Sequence, residues 1–220
     1  MQPVLFDFNG TMFLDTDENI RAWREFIYQQ TGYKVTAADF KQYINGVPDV
    51  DIIRHFLNQS FTNAEAQPYA DGKETLYRQF CLEKKSLQLA PGLVAFLDYL
   101  QAEGIPHNIA TGADKGNLDF YLEHLHLGRW FDPEKIIFSD GSFPGKPHPD
   151  IYLLAAARIK VPIEQCLVFE DAWLGVKAAA AAGVARIIGL AAIPESAFLF
   201  QMPEVDQVIA DFTCWRDLVG

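Results

Sequence analysis

Asp7 closes the apolar run Pro3-Val4-Leu5-Phe6 and is followed at once by the turn Phe8-Asn9-Gly10-Thr11. Three other stations carry reactive groups at the ends of apolar runs. Thr111-Gly112 follows Asn108-Ile109-Ala110, Lys146 lies in Gly145-Lys146-Pro147-His148-Pro149-Asp150, and Glu170-Asp171 ends Cys166-Leu167-Val168-Phe169. Each has a plainer role open to it: a turn aspartate, a helix cap, a surface ion pair, an acidic pair favoured by a helix dipole. Together they suggest one crevice, because ligands of open α/β sheets bind beyond the carboxyl ends of the strands. Hard oxygen ligands there suit Mg²⁺, which commonly sits beside a phosphate. A carboxylate can attack phosphorus to give an acyl phosphate, splitting one displacement into two steps. An ammonium, a hydroxyl and backbone N–H groups can hold the charge that develops.

Elements must bring these stations together. Short apolar runs at 3–6, 108–110, 136–138, 166–169, 185–189 and 208–209 read as buried parallel strands. Between them, Leu93, Phe96, Leu97 and Leu100 keep helical spacing, as do Leu118, Tyr121, Leu122 and Leu125, and Ile151, Leu154, Ala155 and Arg158. This alternation predicts an α/β fold with a doubly wound parallel sheet. Residues 15–86 show only helical faces, such as Trp23, Phe26 and Ile27 or Ile52, Ile53, Phe56 and Leu57. That stretch reads as a helical module inserted after the first strand.

At 220 residues, half of them hydrophobic, the chain can bury a sizeable core. Its formal charge of −11 argues against nucleic acid and against anionic membrane surfaces as partners. The inserted stretch carries 11 acidic and 9 basic groups, the remainder 18 and 9, so most of the negative charge lies outside the insertion. No run approaches a membrane span, and the opening residues lack the basic and apolar regions of a leader. Cys81, Cys166 and Cys214 are odd in number and widely spaced, which predicts buried reduced thiols and a cytoplasmic setting.

The four stretches, with Gly175-Val176-Lys177-Ala178-Ala179 behind the last, resemble the haloacid dehalogenase superfamily. The likeness is to its phosphatase and β-phosphoglucomutase-like branch and covers nearly the full length. It implies a Rossmann-like core over 1–14 and 87–220, an all-helical cap over 15–86, and a Mg²⁺-dependent hydrolase acting on a small phosphorylated metabolite. In that scheme Asp7 is the nucleophile and a Mg²⁺ ligand, and Asn9 offers the metal its backbone carbonyl. Thr111 and Gly112 bind phosphate, Lys146 stabilises the transferring group, and Glu170 and Asp171 complete the metal site.

Two departures from the family pattern matter. Its phosphatases carry Asp two residues after the nucleophile as general acid and base, whereas this chain has Asn9. A carboxamide cannot shuttle a proton near neutral pH, so the expectation is slowed hydrolysis through an aspartyl phosphate. A noncatalytic phosphate-ligand binder or regulatory pseudoenzyme is the alternative. The phosphomutases have a cap Arg in a Gly-x-x-Arg-like stretch, and Asn45-Gly46-Val47-Pro48-Asp49 has none, which makes mutase activity the weaker expectation. Asn9-Gly10 is also a pair prone to deamidation, since glycine leaves the backbone free to cyclise; conversion of Asn9 to Asp on storage is therefore expected to raise activity.

Overall fold

A computed structural model describes residues 1–44, 47–84 and 86–218. The chain forms two compact units, Met1–Leu14 with Gln88–Gly220, and Asp15–Leu87. Strand β1 (Val4–Phe6) opens the first unit and is wholly buried. The chain then enters the second unit, which is helical throughout: α1 (Thr16–Thr31), α2 (Ala37–Asp39), α3 (Asp49–Leu57) and α4 (Asn63–Leu82).

Local chemistry sets the ends of these helices. Gly32 takes a φ of 72° past α1 and donates its N–H to the Tyr28 carbonyl, a conformation that favours glycine. Thr36 with Asp39, and Thr62 with Glu65, form reciprocal capping boxes that satisfy the first orphan N–H groups of α2 and α4. Trp23, Phe26 and Ile27 of α1 pack with Ile52 and Ile53 of α3 and with Ala66 and Ala70 of α4. The small alanines let the helices approach the aromatic face. The Asn45–Asp49 stretch begins with Asn45 and Gly46, which lie outside the described residues.

The first unit resumes with α5 (Leu93–Ala102), β2 (His107–Ile109), α6 (Lys115–His124), α7 (Asp150–Arg158), β3 (Leu167–Glu170), α8 (Trp173–Ala182), β4 (Arg186–Leu190) and β5 (Gln207–Ile209). Five parallel strands lie in the order β2-β1-β3-β4-β5. The order reverses at β1, so right-handed crossovers put helices on both faces. Side-chain alternation shows how the faces are filled. Leu5, Val168 and Ile187 meet α7 and α8 through Ile151, Tyr152, Ala155, Val176 and Ala179. Phe6 and Phe169 point to the other face, stacked at 5.3 Å, and meet Phe96 of α5 and Phe212. Burying each such ring contributes roughly 1.5–3 kcal/mol.

Two expectations about elements need correction. The run Ile136-Ile137-Phe138 is not a strand but an isolated parallel bridge between Ile137 and Ala110. Ile137 makes both ladder bonds, while turns at Asp132–Lys135 and the bond from Ser139 N–H to Ala113 O draw its neighbours off the sheet. Helix α7 is also rotated from the expected face. Ile151, Tyr152, Ala155 and Ala156 are buried, whereas Leu154 and Arg158 are exposed. Among the thiols, Cys81 and Cys166 are buried, but Cys214 is exposed. No described helix is long and apolar enough to cross a membrane.

Candidate active site

Sheet register brings two carboxylates side by side. Phe6 pairs with Phe169, and the Asp7 N–H continues the ladder to the Phe169 carbonyl at 3.0 Å. One residue past that pair, Asp7 and Glu170 leave adjacent strands on the same face. Two buried like charges repel unless a cation lies between them. Lys146 supplies it from the loop before α7, with Nζ 2.6 Å from Asp7 Oδ1 and 2.5 Å from Glu170 Oε1. Sequence separations of 139 and 24 residues thus close on one ammonium.

The electrostatics follow from burial. Desolvation, and then the charge of Glu170, push the Asp7 carboxyl up to about 7, with Lys146 opposing both. For Lys146, burial disfavours the ammonium, but the carboxylates of Asp7 and Glu170 outweigh it and hold the group above its ordinary value. Glu170 is fully buried, and the structure supplies its oxygens with partners: Lys146 and the Tyr152 hydroxyl (2.8 Å) on Oε1, the Ala172 N–H (2.9 Å) on Oε2.

Two glycines make room for this carboxylate cluster. A Cβ on Gly175 of α8 would lie 1.6 Å from Glu170 Oε1, so only glycine lets the helix start against that side chain. Gly10 has a φ of 77°, and a Cβ there would lie 2.1 Å from Asp171 Oδ2. The turn that presents Gly10 is tied by Phe8, whose carbonyl accepts from Met12 N–H (2.8 Å) and Phe13 N–H (3.0 Å). As a result one ligand oxygen from each of Asp7, Glu170 and Asp171 lies within 4.8 Å of the others. Three hard carboxylate donors at that spacing fit Mg²⁺.

On the other side of β1, Ala110 N–H bonds the Phe6 carbonyl, which sets Thr111 just past the level of Asp7 on the neighbouring strand. Thr111 is buried and its Oγ1 accepts from Ala113 N–H at 3.1 Å. The cap of α6 is Asp114, which accepts from Asn117 N–H, so Thr111 is not needed as a helix cap. Gly112 faces open space, with nothing within 4 Å of where a Cβ would be.

Asn9 has a partner that the sequence did not reveal. Its Nδ2 donates to the Tyr121 hydroxyl at 2.7 Å, and the Tyr121 ring stacks on Phe8 at 4.4 Å. The neighbouring Gly10 N–H, which would have to attack the Asn9 amide in deamidation, instead donates to Phe13 O at 2.8 Å. Both reacting groups are held, so the expected conversion of Asn9 to Asp on storage is disfavoured in the folded chain. Tyr121, Tyr152 and Gly175 are the site's unforeseen members. Tyr121 meets Asn9, Tyr152 meets Glu170 and Lys146, and Gly175 packs on Glu170; Gly175 stands in the stretch behind Glu170-Asp171 and Tyr121 on an expected helix face.

A family model described as haloacid dehalogenase-like hydrolase matches residues 1–183. A phosphorylated carbohydrates phosphatase of Thermotoga maritima is 31% identical over 196 residues, covering 86% of this chain and 85% of that protein. A fructose-1-phosphate phosphatase of Escherichia coli is 32% identical over 184 residues, covering 82% and 92%. Among solved structures, a HAD hydrolase, family IA, variant 3, from Entamoeba histolytica superposes with a TM-score of 0.89 at 38% identity, covering 96% of this chain and 94% of that one.

Proposed function

The chain belongs to the haloacid dehalogenase-like hydrolases, and from that premise we propose that it is a Mg²⁺-dependent phosphatase of small phosphorylated carbohydrates, with Asp7 as nucleophile. The observation that carries this reading is the strand-end cluster of Asp7, Glu170 and Asp171 with Lys146 bonded to Asp7. Relatives named as sugar phosphate phosphatases support the substrate class.

In this reading an Asp7 carboxylate oxygen attacks phosphorus and the bond to the sugar oxygen breaks. The products are an acyl phosphate on Asp7 and an alkoxide that must gain a proton. Water then attacks phosphorus, the bond to Asp7 breaks, and inorganic phosphate leaves. Lys146 offsets negative charge on Asp7 and on the transferring group throughout. The Thr111 hydroxyl and the Gly112 N–H hold phosphoryl oxygens that do not react. Asp7, Asp171 and the Asn9 backbone carbonyl, with Glu170, would hold Mg²⁺. When bound, the metal supplies positive charge against the phosphoryl oxygens and draws the buried Asp7 toward its ionised form.

Asn9 sets the rate. Held by Tyr121, its amide can hydrogen-bond a leaving oxygen but cannot give it a proton. Proton transfer by a positioned acid contributes about 10²–10⁴-fold, so turnover of alkyl phosphates is slow and aryl phosphates suffer less. This same residue favours the second reading, a phosphate-ligand binder without turnover.

A panel of sugar and aryl phosphates, with and without Mg²⁺, tests both readings on the wild type, Asp7→Asn and Asn9→Asp. The phosphatase reading requires Mg²⁺-dependent phosphate release that Asp7→Asn abolishes. It also expects Asn9→Asp to raise alkyl phosphate turnover by about 10² or more, with a smaller gain for aryl substrates. No release by the wild type, with stabilisation by phosphate retained and turnover appearing in Asn9→Asp, establishes the binder instead.

A further inference from the structure

We infer that Tyr152 is a positioning residue whose hydroxyl and ring hold Glu170 and Lys146 where the ammonium can reach Asp7. Lys146 carries its charge on a flexible four-carbon stem and stands between two carboxylates that compete for it, at 2.6 and 2.5 Å. Which carboxylate it favours depends on how much charge each oxygen has left to offer. Tyr152 donates its hydroxyl to Glu170 Oε1 at 2.8 Å, the same oxygen that Lys146 bonds. That donation takes up part of the charge on Oε1 and weakens its hold on the ammonium, so Nζ bridges to Asp7 rather than collapsing onto Glu170.

The ring adds a second restraint. Lys146 Nζ lies 5.2 Å from the Tyr152 ring centroid, within the range in which an aromatic face attracts a cation. Tyr152 itself is fully buried on the inner face of α7, in the same apolar cluster as Leu5, Val168 and Ala155. Gly175 of α8 meets the same carboxylate, packed too closely for any Cβ. Glu170 is thus confined by α7 and α8 together, and the hydroxyl of Tyr152 restrains it further. With no exposed surface, Tyr152 acts on the reaction only through Glu170 and Lys146.

Tyr152→Phe keeps the ring and removes the hydroxyl, and two measurements read the result. The first rests on the phosphatase reading. The expectation is a kcat lower by about tenfold with KM within twofold, equally for aryl and alkyl phosphates, because the Lys146–Asp7 contact serves every substrate. The second needs no metal and no turnover: the rate at which an amine reagent modifies Lys146, followed by peptide mass spectrometry in Mg²⁺-free buffer. Because Glu170 Oε1 then holds the ammonium more tightly, this rate is expected to fall roughly threefold, while thiol labelling of the buried Cys166 in the same unit stays unchanged. An unchanged or faster Lys146 rate, or a parallel fall at Cys166, overturns the positioning role; so does a kcat within twofold of wild type. Absence of phosphate release by the wild type defeats the phosphatase reading alone, and the Lys146 labelling rate then decides the role of Tyr152 by itself.

Discussion

Each of the two units buries a lysine among acids and aromatic rings, and the surroundings of the two differ. In the strand-built unit, Lys146 bonds carboxylates from the ends of β1 and β3 and faces a tyrosine from α7. In the helical unit, Lys73 of α4 bonds Glu74, its sequence neighbour, at 2.7 Å and reaches Asp49 only at 4.0 Å. Its ammonium lies 4.9 Å over the Trp23 ring. Lys73 is the more buried of the two, with 5% of its side chain exposed against 12% for Lys146. Burial of a charge therefore does not by itself mark chemistry. In the proposed phosphatase what marks it is a cation shared by carboxylates that the sheet register forces together, where one of them, Asp7, is held by burial and by the charge of Glu170 well above the usual carboxylate range.

The sharpest way to break this contrast is to remove each ammonium. Lys146→Met leaves two buried carboxylates facing one another and takes away the charge that offsets the transferring group. Turnover is expected to fall by about 10²–10³. Lys73→Met is expected to lower turnover by less than about tenfold, because Asp49 can turn to solvent and Trp23 still packs on an unbranched side chain. Its main effect is on stability, about 1–2 kcal/mol, read by denaturant unfolding. Burial opposes the Lys73 ammonium, but Asp49 and Glu74 together raise its pKa above 10.5. A lysine so shifted stabilises the fold fully below about pH 10.5 and loses that contribution as pH rises through the higher folded value. The stability gap between wild type and Lys73→Met should accordingly be flat from neutral pH and shrink only in strong alkali. Equal losses of turnover in the two variants would end the distinction.

A smaller perturbation sharpens the strand-built side of the comparison. Gly175→Ala adds one methyl group where Glu170 Oε1 lies 1.6 Å from the new carbon, so the carboxylate must move. Its partners Lys146, Tyr152 and Ala172 N–H cannot all be kept. Overpacking of this kind costs about 1–3 kcal/mol, and the displaced Lys146 is expected to reduce turnover by roughly tenfold. Gly72→Ala in the helical unit is the matched control, because its Cβ would meet only Phe26 at an ordinary 3.7 Å. There, replacing glycine within a helix should stabilise by about 0.5–1 kcal/mol.

The same contrast explains what the sequence made legible. Wholly apolar runs announced β1 and β3, because a parallel strand covered on both faces has no polar side to disguise it. Once those strands are adjacent, Asp7, Lys146 and Glu170 converge, and their residue types alone pointed to one crevice. The run 136–138 misled because local composition cannot show that both its ends are pulled into turns. Tyr152 escaped notice because α7 has leucines on its outer side, which drew the expected apolar face around to Leu154. Tyr121 lies on the helix face its spacing predicts, yet nothing in that spacing points to Asn9, 112 residues away. Lys73 was invisible for a related reason: the nearer of its two rings, Trp23, lies on another helix, although Tyr77 stands one turn on in its own. Local pattern reads elements and strand ends well, and partner choice across elements poorly.

The smallest effect concerns the thiols, and it compares the two units by how readily each opens. Burial pushes Cys81, in α4, up to about 12 and Cys166, at the entry to β3, up to about 11. Neither reacts as a thiolate while buried, so a thiol reagent must wait for local opening, whereas the exposed Cys214 reacts directly. Cys214 should therefore be labelled first, faster by about 10² or more. Between the buried pair, acidity in the folded state does not set the order, since both regain ordinary thiols once exposed. What sets it is the free energy of opening. Cys81 ends a helix in the smaller unit, next to the chain's exit at Leu87, while freeing Cys166 disturbs the strand that pairs with both β1 and β4. Cys81 is expected to react before Cys166, by roughly two- to tenfold. The reverse order, measured by mass spectrometry of alkylated peptides, would mean that the sheet opens more easily than the helices beside which it is encoded.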